Sequence, residues 1–145
     1  MRCERPGVPS IARMYRHEVR VRYGDCDMQK VVFNAHYLAY SDDAVMCWFS
    51  ARLGDRMHEF DCMLKTVNIL WHRPLRLGDT AQLDCTVRRW GNSSFDVLIA
   101  GSVAGEPSFE TNIVYVSTTP GAPTVVPVPE WVRTALKQDE HLATA

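Results

Sequence analysis

The sequence contains no long apolar run and no surplus of charge of either sign. Its uninterrupted apolar stretches are only a few residues long, far short of the roughly 20 residues that a bilayer-spanning helix needs. No apolar core of a secretory signal follows Met1 and Arg2. The formal net charge is −1, so the chain lacks the overall basic field that attracts nucleic acids without sequence preference. We therefore expect no membrane span, no secretory signal and no nucleic-acid partner.

The sequence also lacks the spacings that mark metal sites, disulfide frameworks and several common catalytic loops. Its five cysteines include no CxxC pair, which argues against a zinc cage or a disulfide framework and predicts reduced thiols in a cytoplasmic protein. His58, His72 and His141 have no carboxylate or cysteine at ligand spacing, so we expect no metal. There is no GxSxG, Walker or GxGxxG motif, so the sequence predicts neither a serine hydrolase of that type nor a bound nucleotide cofactor.

What the sequence does contain is enough apolar material for one core. Hydrophobic residues make up 46% of the 145 residues, and this length is typical of a single domain. Residues 1–14 are polar, are punctuated by proline and glycine, and show no sustained periodicity. We therefore expect a flexible arm over 1–14 and a single domain over 15–145.

The first periodic segments predict one strand followed by one long helix. Apolar and polar residues alternate over 17–23, as in a half-buried strand, and Gly24 ends the alternation. Over 36–53 the apolar residues are spaced by three and four, which predicts a helix. Gly54 is the expected stop. Asn34 is the expected N-cap, because its side-chain oxygen can accept hydrogen bonds from amides of the first turn.

After the helix the apolar period changes to two. Strands are predicted around 67–71, 81–87, 95–103 and 109–115. The proline-rich stretch 120–129 cannot continue a sheet, and a short helix is predicted over 130–137. A helix of about 18 residues is about 27 Å long, enough to cover one face of an antiparallel sheet of about five strands. The order of the elements therefore predicts an α+β fold.

Two acids in the loop before the helix are the first candidates for chemistry. Asp25 and Asp27 follow the predicted strand and precede the helix by a short loop. The free amide N–H groups and the positive dipole at a helix N-terminus can stabilise an oxyanion. Hydrolysis of an acyl compound needs such donors together with a group that attacks the carbonyl or activates water. The alternative is ordinary turn chemistry, because aspartate is favoured in loops where it bonds neighbouring amides.

A family resemblance favours the catalytic alternative. Residues 22–27, 31–33 and 35–38 read RYGDCD, VVF and AHYL, which resembles the signature of the 4-hydroxybenzoyl-CoA thioesterase family and its acyl-CoA thioesterase relatives. The turns at 77–79 and 90–95 are similar to later turns of that family, so the resemblance extends over most of the chain. It implies a hotdog fold, in which a curved antiparallel sheet of five to six strands wraps around one long helix.

The resemblance also implies roles for residues of the loop and of the helix start. Asp27 matches the catalytic carboxylate, which acts either as a nucleophile that gives a mixed anhydride or as a general base on water. The backbone N–H of Asn34 would be the oxyanion donor, and Phe33 would shape the approach of the substrate. Tyr37 would pack under the site, and Asp25 would hold the loop by hydrogen bonds.

Three residues leave alternatives open. Lys30 stands where many relatives have glycine, and it is either a solvated surface lysine or a cation that attracts a nucleotide phosphate or acts on the Asp27 carboxylate. His36 stands where relatives usually have asparagine, and it is either a base or a packed residue that bonds to the loop. Asp43 lies inside the predicted helix. It either supports the site of a partner chain or belongs, with Asp42, to an exposed helix face.

Two positions outside the loop complete the expected substrate-binding set. Arg88 belongs to a group of arginines near strand ends that could clamp the phosphates of a pantetheine-nucleotide carrier. Ser94 lies in the turn that resembles the G-x-S-aromatic motif of the family. For both residues the alternative is a solvated strand end or a plain turn residue. The arginines of the group are Arg73, Arg76, Arg88 and Arg89.

By this resemblance the protein is a thioesterase that hydrolyses an acyl-CoA or aryl-CoA thioester, or one held by an acyl carrier, without a cofactor. A lone sheet of this kind leaves an unpaired edge, so we expect a homodimer that pairs edge strands, or a homotetramer built from it. One alternative is a non-hydrolytic hotdog enzyme, hydratase-like or directed at an acyl carrier, that uses an Asp/His pair. The other is an acyl-CoA-binding module without turnover.

Overall fold

The computed structural model describes residues 14–139. The expected arm over 1–14 therefore lies outside the described residues, except for Met14. The elements within this range are β1 Tyr15–Arg20, α1 His36–Leu53, β2 Asp61–Trp71, β3 Thr80–Trp90, β4 Ser94–Val103, β5 Glu106–Thr118 and α2 Glu130–Leu136. The order of one strand, one long helix and four strands is the order that the change in apolar period predicts.

The strands form one antiparallel sheet in the order β1-β3-β4-β5-β2, so β1 and β2 are its two edges. In the register of the sheet, Gly101 lies opposite Phe109, and Phe109 lies opposite Trp71. α1 begins beside these residues, because the ring of Tyr37 lies 4.9 Å from the ring of Phe109 and 5.7 Å from that of Trp71. We call this end of the strands the helix-start end. We call the opposite end of the strands, where β3 turns into β4, the helix-stop end.

One face of the sheet packs against α1 and forms the core. Alternate residues of β3, β4 and β5 are buried on this face, which explains their period of two. Ser41 joins the two layers, because its hydroxyl oxygen is buried and lies 2.9 Å from the Thr111 hydroxyl of β5. The apolar side chains that α1 buries are Tyr37, Tyr40, Ala44, Val45, Cys47, Trp48, Phe49 and Leu53. A single antiparallel sheet covered by one long helix is the predicted α+β arrangement.

The end of the first predicted strand is wrong by three residues. β1 stops at Arg20 rather than at Tyr23, because the Val21 N–H donates to Asp79 O at 2.8 Å instead of joining the sheet. Tyr23 opens a short 3-10 turn over Tyr23–Asp25 and is 85% exposed. The aromatic residue that alternation assigns to the buried face therefore lies on the surface.

The first half of β2 was not apparent from the periodicity. The strand begins at Asp61 rather than near Val67, and a bulge between Leu64 and Thr66 shifts its pairing with β5. A bulge inserts one residue and moves the following side chains to the other face. The apolar alternation is therefore interrupted, although the backbone pairing continues.

The helix limits are predicted correctly, but the cap is not. α1 runs over His36–Leu53 and ends at Gly54, whose N–H donates to Ser50 O. The N-cap is Ala35, which has helical dihedral angles, and no side chain caps the helix. Asn34 is therefore not the N-cap. The chain turns one step earlier, because the His36 N–H donates to Phe33 O at 2.9 Å, and the Asn34 side chain is not placed over the first amides.

A buried carboxylate fastens the C-terminal segment to α1. Asp139 is completely buried, and its Oδ2 accepts hydrogen bonds from Trp48 Nε1 at 2.8 Å and Arg52 Nε at 2.7 Å. A second bond joins Arg52 to Oδ1 at 3.0 Å. The same guanidinium lies 5.6 Å from the centre of the Tyr15 ring of β1. The first strand, the long helix and the last turn thus meet at one ion pair.

Two further expectations concern the thiols and the membrane. Cys26, Cys62 and Cys85 are free thiols, whereas Cys47 is disulfide-bonded, so the expectation of reduced thiols is wrong for that residue. Burial raises the pKa of the Cys62 thiol to about 12, with the nearby Asp61 carboxylate adding to the effect. No helix within residues 14–139 is long and apolar enough to cross a membrane.

The substitution Asp139→Ala is expected to lower the free energy of unfolding by about 3 to 5 kcal/mol. It leaves the partly buried Arg52 guanidinium and the Trp48 N–H without their acceptor. Urea denaturation followed by tryptophan fluorescence measures the change. Glu59→Ala is the matched control, since it breaks the exposed ion pair with Arg56 and should change stability little. Equal losses in the two variants would contradict the importance of the buried pair.

Candidate active site

The loop between β1 and α1 folds back on itself as a short hairpin. Cys26 and Val32 form an isolated antiparallel bridge. Within it, the Asp27 N–H donates to Val31 O at 2.9 Å, and the Lys30 N–H donates to Asp27 O at 3.0 Å. Asp27 therefore stands at the first position of a tight turn, held by backbone bonds on both sides.

Lys30 closes this turn in the left-handed conformation, with φ of 64°. Glycine adopts this conformation freely, whereas a residue with a side chain loses about 1 kcal/mol there. The family resemblance leads one to expect glycine at this position, and Lys30 has the backbone that such a glycine would have. Lys30 therefore adds an exposed cation to the loop at a position whose backbone favours glycine.

The Asp27 side chain is exposed and is oriented by its own turn. Its Oδ1 accepts a hydrogen bond from the Gln29 N–H at 2.7 Å. This bond is the turn chemistry that the sequence leaves open as an alternative, and it fixes the direction of the carboxylate. Within residues 14–139 no donor bonds Oδ2 of Asp27, so that oxygen can approach a bound molecule.

The start of α1 offers amide donors. Within the described part of the chain, the N–H groups of Asn34 and Ala35 donate to no backbone acceptor, as is usual for the first amides of a helix. Phe33, just before them, is 53% exposed. Both elements expected at a thioester site, an exposed carboxylate and unpaired amides at a helix start, therefore belong to one short loop.

Asp25 has the structural role that the resemblance implies. Its Oδ2 accepts hydrogen bonds from the Tyr40 hydroxyl at 2.7 Å and from the Arg22 N–H at 3.0 Å. Burial alone would raise the pKa of Asp25. The hydrogen bonds from Tyr40 and Arg22, together with the nearby His36 and Arg22 charges, outweigh burial and hold this pKa below its usual value. The ionised carboxylate thus ties the loop to α1.

Tyr37 packs beneath the loop. It is 1% exposed, and its hydroxyl accepts a hydrogen bond from the Leu75 N–H at 2.9 Å. A ligand cannot touch this side chain in the isolated chain, so its contribution to a site is to position the loop. His36 is half-buried, and its ring lies 6.1 Å from that of Phe33 and 6.5 Å from that of Tyr40. The His36 ring therefore packs beside these two aromatic rings.

Three expected site residues lie away from the loop within one chain. Asp43 is exposed on α1. Arg88 lies on the sheet face opposite α1, where its guanidinium donates to Asn112 Oδ1 at 3.0 Å. Ser94 begins β4 at the helix-stop end, and the Gly91 N–H donates to its carbonyl at 2.7 Å. A single chain does not bring these three residues to Asp27.

A cavity of about 370 Å³ lies between α1 and the start of β2, at the helix-stop end. Asp42 lines it, whereas Asp43 does not. Burial, and secondarily the Asp43 carboxylate, raises the pKa of Asp42. The other lining residues include Met46, Phe49, Phe60, Asp61 and Tyr115. The periodicity does not reveal this cavity, because residues from three segments of the chain form it.

A second cavity, of about 560 Å³, lies at the helix-start end on the face away from α1. His72 and Glu110 line it and approach each other to 3.3 Å. Arg73 also lines it and lies 3.9 Å from Glu106. Neither cavity is lined by Asp27. Within residues 14–139 no three histidine, cysteine or acidic side chains are grouped as metal ligands.

Comparisons with known proteins agree with this architecture. The family model of the thioesterase-like superfamily matches residues 21–136. A structure from Jannaschia sp. CCS1, described as thioesterase superfamily, has 19% identity and a TM-score of 0.81, covering 94% of this chain and 100% of that one. A 1,4-dihydroxy-2-naphthoyl-CoA thioesterase from Synechocystis has 20% identity and a TM-score of 0.74, covering 86% and 96%. A thioesterase from Thermus thermophilus, solved with coenzyme A and zinc, has 26% identity and a TM-score of 0.75, covering 84% and 96%.

No curated protein sequence matches the chain significantly. The range matched by the family model includes the whole loop before α1, the helix itself and all four strands that follow. The solved structures share the sheet and the helix over most of their lengths. The chain therefore belongs to the thioesterase-like superfamily and has the hotdog fold.

Proposed function

We propose that this protein hydrolyses an acyl-CoA or aryl-CoA thioester, with Asp27 as the reacting carboxylate and the Asn34 N–H as the oxyanion donor. Membership of the superfamily supports thioester hydrolysis in general. The observation that carries the specific assignment is the free Oδ2 of Asp27 on the loop that leads to the unpaired amides of the helix start. Amides fixed in this way stabilise the charge that develops on the carbonyl oxygen.

Two routes use the same geometry. In one, Asp27 Oδ2 attacks the thioester carbonyl, the thiolate of coenzyme A leaves, and water then hydrolyses the mixed anhydride. In the other, Asp27 accepts a proton from a water that attacks the carbonyl directly. The bond from the Gln29 N–H to Oδ1 serves both routes, because it keeps the reactive oxygen in one orientation.

The hydratase-like alternative needs an Asp/His pair. Within residues 14–139 no hydrogen bond joins the His36 ring to Asp25 or Asp27, and His36 packs between the rings of Phe33 and Tyr40. These contacts favour hydrolysis over hydration.

A second copy of the chain would complete the site. β2 is an edge strand with no partner on its outer side within the described residues, and its exposed apolar residues include Leu64, Leu70 and Trp71. Two copies that pair their β2 strands antiparallel about a two-fold axis place the helix-start end of one beside the helix-stop end of the other. Asp27 of one chain would then face the cavity beside Asp42 of its partner.

The lining of the cavity indicates which acid a partner would contribute. Asp42 lines the cavity, whereas Asp43 does not. In this arrangement Asp42, and not Asp43, is the acid that the partner contributes to the acyl pocket.

The lining of that cavity favours an aryl or medium-length acyl group. Its volume of about 370 Å³ is small, and aromatic and methionine side chains form most of its apolar wall. The Asp42 carboxylate provides an acceptor for a polar group on the acyl part.

Asp27→Asn is expected to lower the rate of thiol release from a panel of acyl-CoA esters by at least about 10²-fold, because the change removes the nucleophile or base and keeps the shape. A chromogenic thiol reagent measures the rate, and circular dichroism checks the fold. Asp96→Asn, which changes an aspartate paired with Arg89 on the outer sheet face, is the control and should keep full activity. Full activity in the Asp27 variant would refute the assignment.

Leu64→Glu is expected to yield a monomer with little activity, because it places a charge on the proposed β2 interface and separates Asp27 from the partner cavity. Sedimentation velocity and thiol release measure the two effects on the same sample. Val125→Glu is the matched control, since it introduces the same charge at an exposed apolar residue outside β2; Val125 is 58% exposed. An active Leu64→Glu monomer would show that one chain holds the complete site.

The role of Asp25 predicts a dependence of stability on pH. Its pKa in the folded chain lies below its usual value, which is about 3.9 in an unfolded chain. The ionised carboxylate therefore stabilises the fold fully at higher pH, and this stabilisation is lost as the pH falls from about 4 through the lower folded pKa. Thermal unfolding should show Asp25→Asn to be less stable than the native chain at pH 7, with the difference shrinking below pH 4. A constant difference would contradict the shift.

A further inference from the structure

Arg20, the last residue of β1, and Arg22, in the loop between β1 and α1, differ from the arginines of the sheet that have partners. Arg16 bonds Asp84 at 2.7 Å, Arg88 bonds Asn112 at 3.0 Å, and Arg89 bonds Asp96 at 3.2 Å. Arg20 and Arg22, in contrast, make neither an ion pair nor a side-chain hydrogen bond with residues 14–139. Both are exposed, so their guanidinium groups remain available to a ligand.

The backbone places these two side chains on one surface. Tyr15 and His17 of β1 are buried and Val19 packs against the core, so the alternate residues of the strand, including Arg20, point away from α1. Arg22 continues the extended backbone, with φ of −100° and ψ of 160°. Positions 20 and 22 therefore share a face at the helix-start end of the sheet.

An exposed aromatic ring completes this surface. Tyr23 follows Arg22 and is 85% exposed, although nothing about a turn requires an aromatic residue there. The backbone below it is fixed, because the Arg22 N–H donates to Asp25 and the Cys26 N–H donates to Tyr23 O at 3.3 Å. We call Arg20, Arg22 and Tyr23 the arginine-tyrosine surface.

The acids near this surface are engaged elsewhere. Glu18 Oε1 accepts a hydrogen bond from Gln82 Nε2 at 3.4 Å. Asp25 Oδ2 accepts hydrogen bonds from the Tyr40 hydroxyl and from the Arg22 N–H, and the Arg22 charge acts on this carboxylate without forming an ion pair with it. Asp79 Oδ2 accepts the Arg76 N–H at 2.9 Å. The positive charge of the surface is therefore not cancelled by an ion pair with any of these carboxylates.

We infer that the arginine-tyrosine surface binds the phosphorylated adenosine of coenzyme A while the thioester lies at Asp27. This inference rests on the proposed function. Guanidinium groups bind phosphates through paired charge-assisted hydrogen bonds, and an exposed tyrosine ring is a stacking partner for a base. The surface thus supplies both kinds of contact that a nucleotide needs.

The position of the surface fits a long pantetheine arm. Arg20 and Asp27 are seven positions apart, and an extended chain of that length spans at most about 23 Å, which the 3-10 turn at Tyr23–Asp25 shortens. The surface therefore lies within about that distance of the carboxylate. It also lies at the β1 edge of the sheet, opposite β2, so the proposed dimer leaves it uncovered.

Binding of adenosine 3′,5′-bisphosphate tests the surface without any need for turnover. Calorimetric titration should show binding to the native protein that is about tenfold weaker in Arg20→Gln and in Arg22→Gln, the effect of one lost charge-assisted contact. Binding should also weaken with added salt. Arg16→Gln is the matched control, because it lies on the same face of the same strand and already pairs with Asp84. Its affinity should equal that of the native protein.

Substrate kinetics provide the second readout. The ratio of kcat/KM for an acyl-CoA to kcat/KM for the same acyl-pantetheine, which lacks the nucleotide, should fall about tenfold in Arg20→Gln and Arg22→Gln through KM, and should not change in Arg16→Gln. A native protein that does not bind the bisphosphate, or arginine variants that bind it with native affinity, would overturn the inference. A ratio that falls only in Arg88→Gln would also overturn it.

These outcomes are distinct from a failure of the proposed function. If no thioester releases thiol, the hydrolase assignment is wrong, and the titration with the bisphosphate still decides whether the surface binds a nucleotide. If acyl-CoA and acyl-pantetheine are hydrolysed with equal kcat/KM, the hydrolase assignment stands and the nucleotide surface is refuted.

Discussion

The hydrogen bond between the Tyr40 hydroxyl and the Asp25 carboxylate connects the two halves of the candidate site. It joins the first turns of α1 to the loop that precedes them, and the same carboxylate holds the Arg22 N–H. Without it the loop would have only its own hairpin bonds and the contacts with the 75–79 segment. Because both ends of the loop are held, Asp27 and the free amides of the helix start keep a defined relation to each other.

The second constraint is that the loop and the cavity lie at opposite ends of the strands. The loop with Asp27 lies at the helix-start end, and the cavity beside Asp42 lies at the helix-stop end. Within one chain Asp27, the proposed reacting group, therefore does not line the cavity that we propose for the acyl group. Among the described residues β2 has no partner on its outer side, and the two-fold partner that we propose there would join them. In such an arrangement, the oligomer and the active site form together.

Much of the fold is predictable from the sequence because each element has a strong local signal. The limits of α1 follow from apolar spacing and from Gly54, and the strands β3 to β5 follow from alternation. The failures occur where a local signal competes with pairing. The Val21 N–H bonds Asp79 O instead of a neighbouring strand. The bulge after Leu64 interrupts the apolar alternation of β2, so its first half has no strand pattern. At the site, the structural role of Asp25 was predictable from the resemblance, but its partner Tyr40 has the same helical spacing as any core residue.

The sequence by itself determined the order of the elements, the apolar face of the helix and the presence of two acids before it, because these depend on neighbours in the chain. Only the tertiary structure decided which acid turns inward and which is exposed, and that Asp42 rather than Asp43 lines a cavity. It also decided that, among residues 14–139, the Arg88 side chain has a hydrogen-bond partner whereas those of Arg20 and Arg22 have none. The physical reason is that hydrogen-bond partners and cavities depend on residues distant in the chain. Asp25 and Tyr40 are 15 positions apart, and Arg88 and Asn112 are 24 positions apart, so no local pattern records these contacts.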